Sequence, residues 1–487
     1  MQPAPLGDYL TALSSLIQPV RASAYPPSLE PMERLLAALD HPERTFESIV
    51  VAGSVGKGTA CLQIAGALGV TPGPVGLYTG PHLHSFRERL VVDGAPIDYA
   101  AFIAGATAVR RAADRLPDIR FSTFELTTAL ALWWFRERGV RWAVLEIGIG
   151  GRYDAVNAVP NQLAVILPIE MEHAAMLGGT LASIAGHKAG IIQAGGVAVS
   201  VEQTPVVEAV LREEAAVKQA RLRFMPGDAL VPAVIEACSE KRGVPGVLAI
   251  QNPKRSVPSV PALKVTKPSP PAPLPAVCGD GRGGPEYFRA GMCPQFIVTL
   301  WLNQLSCLGV SVGHRHAVSP GLPTLPGRLE WIEQPGRRIL IDGAHTARSA
   351  QRLRAALETA AGGEPVHLVA GLLRDKSPVA VLAPFDEARF RITLTTAPGH
   401  RAIPAADLPA LAGLEAAQAE TEPDLERALA SLLTDPAPVQ VVMGSLRMAA
   451  LAREYLGLLP PEALAEAQAT RALLEGEGYL ARLPEVL

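Results

Sequence analysis

Ser48-Ile49-Val50-Val51-Ala52-Gly53-Ser54-Val55-Gly56-Lys57-Gly58-Thr59 is the stretch that decides the fold. Its first five residues are a short apolar run ending in glycine, as in a strand buried on both faces of a parallel sheet. Lys57 to Leu68 then reads as a helix. Strand, glycine-rich turn and helix, with Lys and Thr at the helix start, is the arrangement that cradles phosphate. The turn aims backbone N–H groups at phosphate oxygens, and the helix N-terminus adds positive potential. Lys57 supplies a point charge and Thr59 a hydroxyl for Mg2+. The spacing is a variant: no glycine stands five residues before Gly56, and Gly58 separates Lys57 from Thr59. Taken alone, the loop also fits an ordinary glycine-rich turn with a solvated lysine.

Around this stretch the pattern alternates. Val75 to Tyr78, Trp142 to Leu145, Leu163 to Leu167 and Val197 to Val199 are further apolar runs of strand length. Tyr99 to Leu116 and Glu125 to Arg138 have helical character. Alternating strands and helices predict a parallel sheet covered on both faces, with ligands at the carboxyl ends of the strands. The unusual residues cluster there: Gly53 to Thr59, Glu146 to Asn157, and Glu172-His173. A second α/β block starts near Leu325. Its strands are Arg338 to Asp342, Val366 to Ala370, Phe390 to Leu394 and Val439 to Met443, with a helix from about Ala347. The fold class is therefore α/β: an N-terminal P-loop parallel-sheet ATPase domain over 1–230 and a smaller C-terminal Rossmann-like domain over 323–487. Between them, 231–322 is enriched in proline and cysteine. Nine prolines fall within 252–285, which resists both helix and sheet. This segment is expected to be irregular.

The chain has 487 residues, too many for one ordinary core. Its net charge of −3 does not support a sequence-independent nucleic-acid binder. No apolar run has the length of a bilayer span, and Met1-Gln2-Pro3-Ala4-Pro5 has no signal-peptide character. A cytoplasmic monomer without membrane or nucleic-acid partners is the expectation. None of the five cysteines forms a C-x-x-C pair, which argues against zinc and redox dithiols.

Several segments, in order along the chain, resemble the folylpolyglutamate synthase/dihydrofolate synthase family of the Mur ligase superfamily. The loop resembles that family's G-T-N-G-K-G-[ST]. Tyr78-Thr79-Gly80-Pro81-His82-Leu83, with Phe86-Arg87-Glu88-Arg89, resembles Y-T-S-P-H-L…F-x-E-R. Leu145-Glu146-Ile147-Gly148-Ile149-Gly150-Gly151-Arg152-Tyr153-Asp154-Ala155-Val156-Asn157 resembles L-E-V-G-L-G-G-R-x-D-A-T-N. Glu172-His173 and His187-Lys188-Ala189-Gly190-Ile191 resemble D-H and E-K-A-G-I. Pro326-Gly327-Arg328, Asp342-Gly343-Ala344-His345 and Gly444-Ser445 resemble C-terminal motifs.

The resemblance implies a ligase that joins a pteroate or folate carboxylate to the amine of L-glutamate. ATP is co-substrate and Mg2+, as two ions, the cofactor; an acyl phosphate is the intermediate. Its partners are small molecules. By the same resemblance Gly56, Lys57, Gly58, Thr59, Arg328, Asp342 and His345 bind ATP. Thr59, Glu146, His173 and a carbamylated Lys188 hold metal, and Lys57, His173 and Lys188 act in catalysis. Ser122, Thr123, Phe124, Glu125, Tyr153, Asp154 and Ala155 match the pterin-binding segments, with Pro27-Ser28-Leu29 a further match. Each residue also has an ordinary use: Glu146 a helix cap, His173 a bonded loop histidine, Lys188 a surface pair, Phe124 core packing, Arg328 a surface pair.

The chain departs from the pattern at Gly80 (serine in the family), Val55 (asparagine), Glu172 (aspartate) and Thr346 (asparagine). No G-x-H-Q-x-x-N-A segment stands between 229 and 322. A replaced or frameshifted stretch over 231–305 is one explanation. A catalytically weak folate- or nucleotide-binding relative stays open. So does a peptidoglycan-type Mur ligase, although Gly58 favours the folate branch.

Overall fold

The computed structural model describes residues 6–18, 28–69, 71–240, 326–414 and 419–476. Its first block is an eight-stranded sheet. In chain order the strands are β1 (Glu47–Ala52), β2 (Val75–Tyr78), β3 (Leu90–Val92), β4 (Ala95–Pro96), β5 (Trp142–Glu146), β6 (Leu163–Ile166), β7 (Val197–Val201) and β8 (Arg221–Met225). In space they run β4-β3-β2-β5-β1-β6-β7-β8. Pairing is parallel from β2 to β8, and β3 and β4 are antiparallel edge strands. Val51 of β1 stands level with Glu146 of β5 and Val165 of β6. That register places the loops after β1, β5 and β6 at one edge, where a doubly covered sheet binds ligands.

Strand alternation distributes the core over two faces. Val50, Leu145 and Ile166 join one cluster with Phe102, Leu126 and Leu130 from the helices Tyr99–Asp114 and Thr123–Glu137. Ile49, Val51, Val144 and Val165 join another with Ala60, Ile64 and Leu68 of the helix Lys57–Leu68. Leu130 is fully buried. Truncation to alanine there costs about 2–5 kcal/mol.

The second block is a six-stranded sheet of β9 (Glu330–Gln334), β10 (Arg337–Ile341), β11 (Val366–Ala370), β12 (Phe390–Leu394), β13 (Ala419–Thr421) and β14 (Val439–Met443). Their order is β13-β12-β11-β14-β10-β9, parallel except for the β9–β10 hairpin. The α/β expectation for both blocks holds.

The joints differ from the sequence expectation. The stretch expected to be irregular from 231 opens as a helix, Leu230–Glu240. Leu230, Val231, Val234 and Cys238 are buried on the face that carries the phosphate-loop helix. Pro232 lies in the first helical turn, where a missing N–H is tolerated. The rest of the expected irregular segment, from 241, lies outside the described residues, with Cys278, Cys293, Cys307 and the proline-rich run. Pro27 also lies outside them. The helix Pro461–Gly476 packs against the first block as well as the second, where Arg471 pairs with Glu454 and Glu475 with Arg447 at 3.0 Å. Its Glu466 accepts hydrogen bonds from Arg87 Nη2 (2.6 Å) and Tyr99 Oη (2.9 Å) and also bonds Ser85 Oγ. No helix among the described residues is long and apolar enough to cross a membrane.

Candidate functional site

A cavity of about 980 Å3 opens between the two blocks at the carboxyl edge of the first sheet. The phosphate-loop residues Ser54 to Thr59 form its floor. Gly56, in the left-handed region at φ 86°, caps the helix without a side-chain acceptor. The first-turn N–H groups are thus left for a ligand. Ser54 N donates to Pro168 O at 2.9 Å, and Glu170 N donates to Ser54 Oγ at 2.9 Å. The loop is therefore tied to the end of β6.

Glu146 ends β5 and lines the cavity, almost wholly buried. Its Oε2 accepts from Gly80 N at 3.0 Å. Burial raises its carboxyl above the usual range, while Lys57, Gly80 N–H, Arg328 and Arg89 pull it back. A Cβ at Gly58 would stand 3.5 Å from Glu146 Oε2, so the extra glycine brings the helix start beside this carboxylate. Glu146 does not serve as a helix cap. Its position near Thr59 suits a hard divalent ion that takes few protein oxygens and completes its shell with phosphates and water. Among the described residues no three His, Cys, Asp or Glu side chains converge as a metal cluster.

His173 lines the same cavity at φ 49°. Burial lowers its pKa to about 4, with Glu172 opposing and Lys188 and Lys57 reinforcing the shift. At neutral pH the ring is therefore neutral. Lys188, on the helix Leu181–Ala189, is only 1% exposed and stands behind the wall. Its Nζ donates to Gly53 O at 2.9 Å and to Glu172 Oε1 at 2.7 Å. Lys188 does pair with a carboxylate, but in the interior and not at the surface. Burial and Lys57 lower it to about 8 against the pull of Glu172.

Arg328, Asp342 and His345 come from the second block and line the cavity opposite the loop. Asp342 Oδ2 accepts from Leu329 N at 2.7 Å and Oδ1 from Ala344 N at 2.7 Å. His345 Nδ1 lies 2.6 Å from Gly343 O and donates to it. Burial lowers this histidine, so the ring is neutral and Nε2 remains an acceptor. Arg348 Nη1 reaches across the crevice to Glu170 Oε1 at 2.5 Å.

The pterin-segment residues separate into groups. Phe124 lines the cavity. Ser122 and Glu125 form the capping box of the helix Thr123–Glu137, and Thr123 Oγ1 accepts from Gln18 N at 2.8 Å. Asp154 does not line the cavity and stands behind the lining residue Gly148. Its Oδ2 accepts from Gly148 N and Ile149 N, both at 3.0 Å, and its Oδ1 from Val156 N at 3.0 Å. A Cβ at Gly148 would meet Phe124 Cζ at 2.9 Å and Asp154 Oδ2 at 3.1 Å, so glycine lets the ring and the carboxyl converge. Burial raises Asp154 to about 7 against three backbone donors. Tyr153 is exposed and stacks edge-on with His187 at 6.1 Å. Ala155 is buried. Neither Tyr153 nor Ala155 lines this cavity.

Among the lining groups missed by sequence reasoning are Arg89, buried beside Gly80, and Lys376-Ser377 of the second block. The signal for Arg89 was present in the F-x-E-R segment. Glu88 of that segment accepts from Leu83 N (2.8 Å), His84 N (2.9 Å) and Ser85 N (2.7 Å), which fixes the loop that follows Gly80.

Residues 327–446 match the family described as Mur ligase, glutamate ligase domain. The chain is 30% identical over 429 residues to a folylpolyglutamate synthase of Lacticaseibacillus casei, covering 87% of this chain and 92% of that protein. Folylpolyglutamate synthase of Mycobacterium tuberculosis complexed with ADP superposes with a TM-score of 0.70 at 23% identity, covering 93% of this chain and 99% of the other. A bifunctional folylpolyglutamate synthase/dihydrofolate synthase from Yersinia pestis, complexed with AMPPNP and a Mn ion, superposes with a TM-score of 0.64 at 23% identity, covering 93% and 98%.

Proposed function

Because this chain belongs to the folylpolyglutamate synthase/dihydrofolate synthase family, we propose that its inter-block cavity is where ATP drives ligation of L-glutamate to a pteroate or folate carboxylate. The enzyme is an ATP-dependent acid–amino-acid ligase of folate metabolism. One observation carries the site reading. Lys57, Thr59, Glu146 and His173 of the first block share one cavity with Arg328, Asp342 and His345 of the second.

A carboxylate resists amine attack because its carbon is a poor electrophile. A carboxylate oxygen of the acceptor attacks the γ-phosphorus, the bond to the β-phosphate oxygen breaks, and ADP leaves. The glutamate amine then attacks the acyl carbon, phosphate leaves with the bonding pair, and the ammonium proton is lost to solvent. Both steps gain most from positioning and charge neutralisation. The loop N–H groups and Lys57 neutralise the phosphates, while Arg328 and the neutral His345 approach from the second block. Phe124 offers a ring face to the flat heterocycle, and Asp154 holds the Gly148-Ile149 backbone beside it. Thr59, Glu146, His173 and Lys188 are the residues we assign to divalent metal. Mg2+, as two ions, would shield the phosphate charge there. Lys188 joins that set once its amine has added CO2, giving an anionic carbamate. We assign the block that ends with the helix Leu230–Glu240 and the second block from 326 as the two catalytic domains of a cytoplasmic monomer.

Incubation with MgATP, L-glutamate and either dihydropteroate or a tetrahydrofolate tests this reading. The expected result is ADP together with a glutamylated product; the acceptor that reacts separates the two activities. Nucleotide binding without turnover would instead favour a ligand-binding relative.

A further inference from the structure

Arg89 is 3% exposed, yet it lines the cavity. Its Nε donates to His82 Nδ1 at 2.9 Å, and its guanidinium lies 4.7 Å over the Phe86 ring. Nη2 is buried and has no hydrogen-bond partner among the described residues. No carboxylate forms an ion pair with it there either, although Glu146 is close enough to feel its charge. A buried guanidinium left open in this way is costly unless an anion completes it.

The neighbouring backbone explains how the group fits. A Cβ at position 80 would stand 3.2 Å from Arg89 Nη1. That is closer than most real contacts, and a hydroxyl beyond it would crowd the guanidinium further. Position 80 is also where the chain departs from the serine of the pattern it resembles. Arg89 therefore lies against a backbone peptide that presents no side chain, beside Glu146 and across from Lys57.

We propose that Arg89 is a substrate-binding residue, whose guanidinium holds an oxyanion of the reacting pair. This rests on the ligase reading above. The planar fork suits either a carboxylate or a phosphoryl group. In this cavity those are the acceptor carboxylate and the γ-phosphate of ATP. Gly80 leaves Nη1 uncrowded, although the family pattern carries this arginine beside a serine as well.

The test compares Arg89→Met, Arg89→Lys, Gly80→Ser and the Gly80→Ser/Arg89→Met double variant in the full chain. Acceptor KM, the Kd for AMPPNP and for ADP by calorimetry, and the thermal midpoint are measured. Arg89→Met is expected to raise acceptor KM or the AMPPNP Kd by at least about tenfold, with the ADP Kd within about twofold. The constant that rises identifies the oxyanion. Arg89→Lys is expected to recover part of the loss. Gly80→Ser is expected to weaken the same constant in the wild-type background and to add nothing to Arg89→Met. Arg89 variants that lower the thermal midpoint but leave both constants within twofold would overturn the proposal. If Arg89→Met fails to fold, Arg89→Lys decides: a rise beyond twofold in one of the two constants supports the proposal, and none overturns it. If the wild-type chain makes no glutamylated product, the ligase reading fails on its own. Calorimetric binding of acceptor and AMPPNP then decides the role of Arg89.

Discussion

The two walls of the crevice are built from similar sheets but use their polar groups differently. On the first wall Lys57, Glu146, His173 and Arg89 sit where strand ends and loops leave them facing the cavity. On the second wall Asp342 has both oxygens bound to backbone N–H groups, and His345 Nδ1 is bound to Gly343 O. The first wall holds groups ready for a substrate, while the second holds loops in position. Both walls need backbone acceptors and donors to be satisfied. The difference is whether a side chain's remaining capacity points at the ligand.

Lys57→Ala should break this comparison most visibly. Removing the one lysine of the phosphate loop is expected to lower kcat/KM by about 10^2–10^3-fold, with the far-ultraviolet spectrum and thermal midpoint unchanged. Steady-state kinetics with saturating glutamate checks it. A change confined to ATP KM would assign Lys57 to binding alone.

The C-terminal helix tests the joint between the walls. Glu466→Gln leaves Arg87 without its anionic partner and weakens the bonds to Ser85 and Tyr99. The expected cost is about 2 kcal/mol of unfolding free energy in a urea titration. Asp342→Asn is a smaller perturbation. An amide offers one acceptor oxygen where two backbone donors now have two, so a loss of about 1 kcal/mol is expected. ATP affinity should fall less than for Lys57→Ala. Equal kinetic losses at the two positions would erase the distinction between the walls.

The smallest effect is electrostatic. Histidine normally titrates at 6.5, and His173 is depressed to about 4. Its neutral form is favoured by folding, so the associated stability is complete above 6.5 and is lost as pH falls from 6.5 toward 4. Glu172 favours the imidazolium, so Glu172→Gln should move the midpoint further down. Proton NMR titration of the His173 ring, without metal, reads this. An upward shift would contradict the arrangement of Glu172 and Lys188 around the ring.

Much of the first block was legible because its signals are local. Ile49 to Ala52 alternates between two buried faces, Gly53 to Gly58 marks the turn, and β2 and the phosphate-loop helix were read at the bounds they have. The edge strand β8, Arg221–Met225, was not read, because its half-exposed RLRFM pattern lacks a continuous apolar run. The return of the helix Pro461–Gly476 to the first block rests on Glu466 meeting Arg87, a contact far apart in sequence. The candidate metal and phosphate residues were legible as a resemblance, with Glu146 at the end of β5 and His173 in the loop that follows β6. What the sequence hid is how residues are used. Asp154 reads as a ligand for a substrate N–H, yet three backbone donors already surround it. Arg89 reads as one more charge in a motif, and only packing against Phe86 and His82 reveals a buried cation.

The central claim is that this cavity couples ATP cleavage to amide formation on a folate-type carboxylate. The most direct measurement is mass spectrometry of the acceptor, beside ADP quantitation, after incubation with MgATP and isotopically labelled L-glutamate. The account predicts one labelled glutamyl residue on the acceptor per ADP formed, and product formation about 10^2–10^3-fold slower with Lys57→Ala. ADP release without a glutamylated acceptor, or product formation independent of ATP, would contradict it.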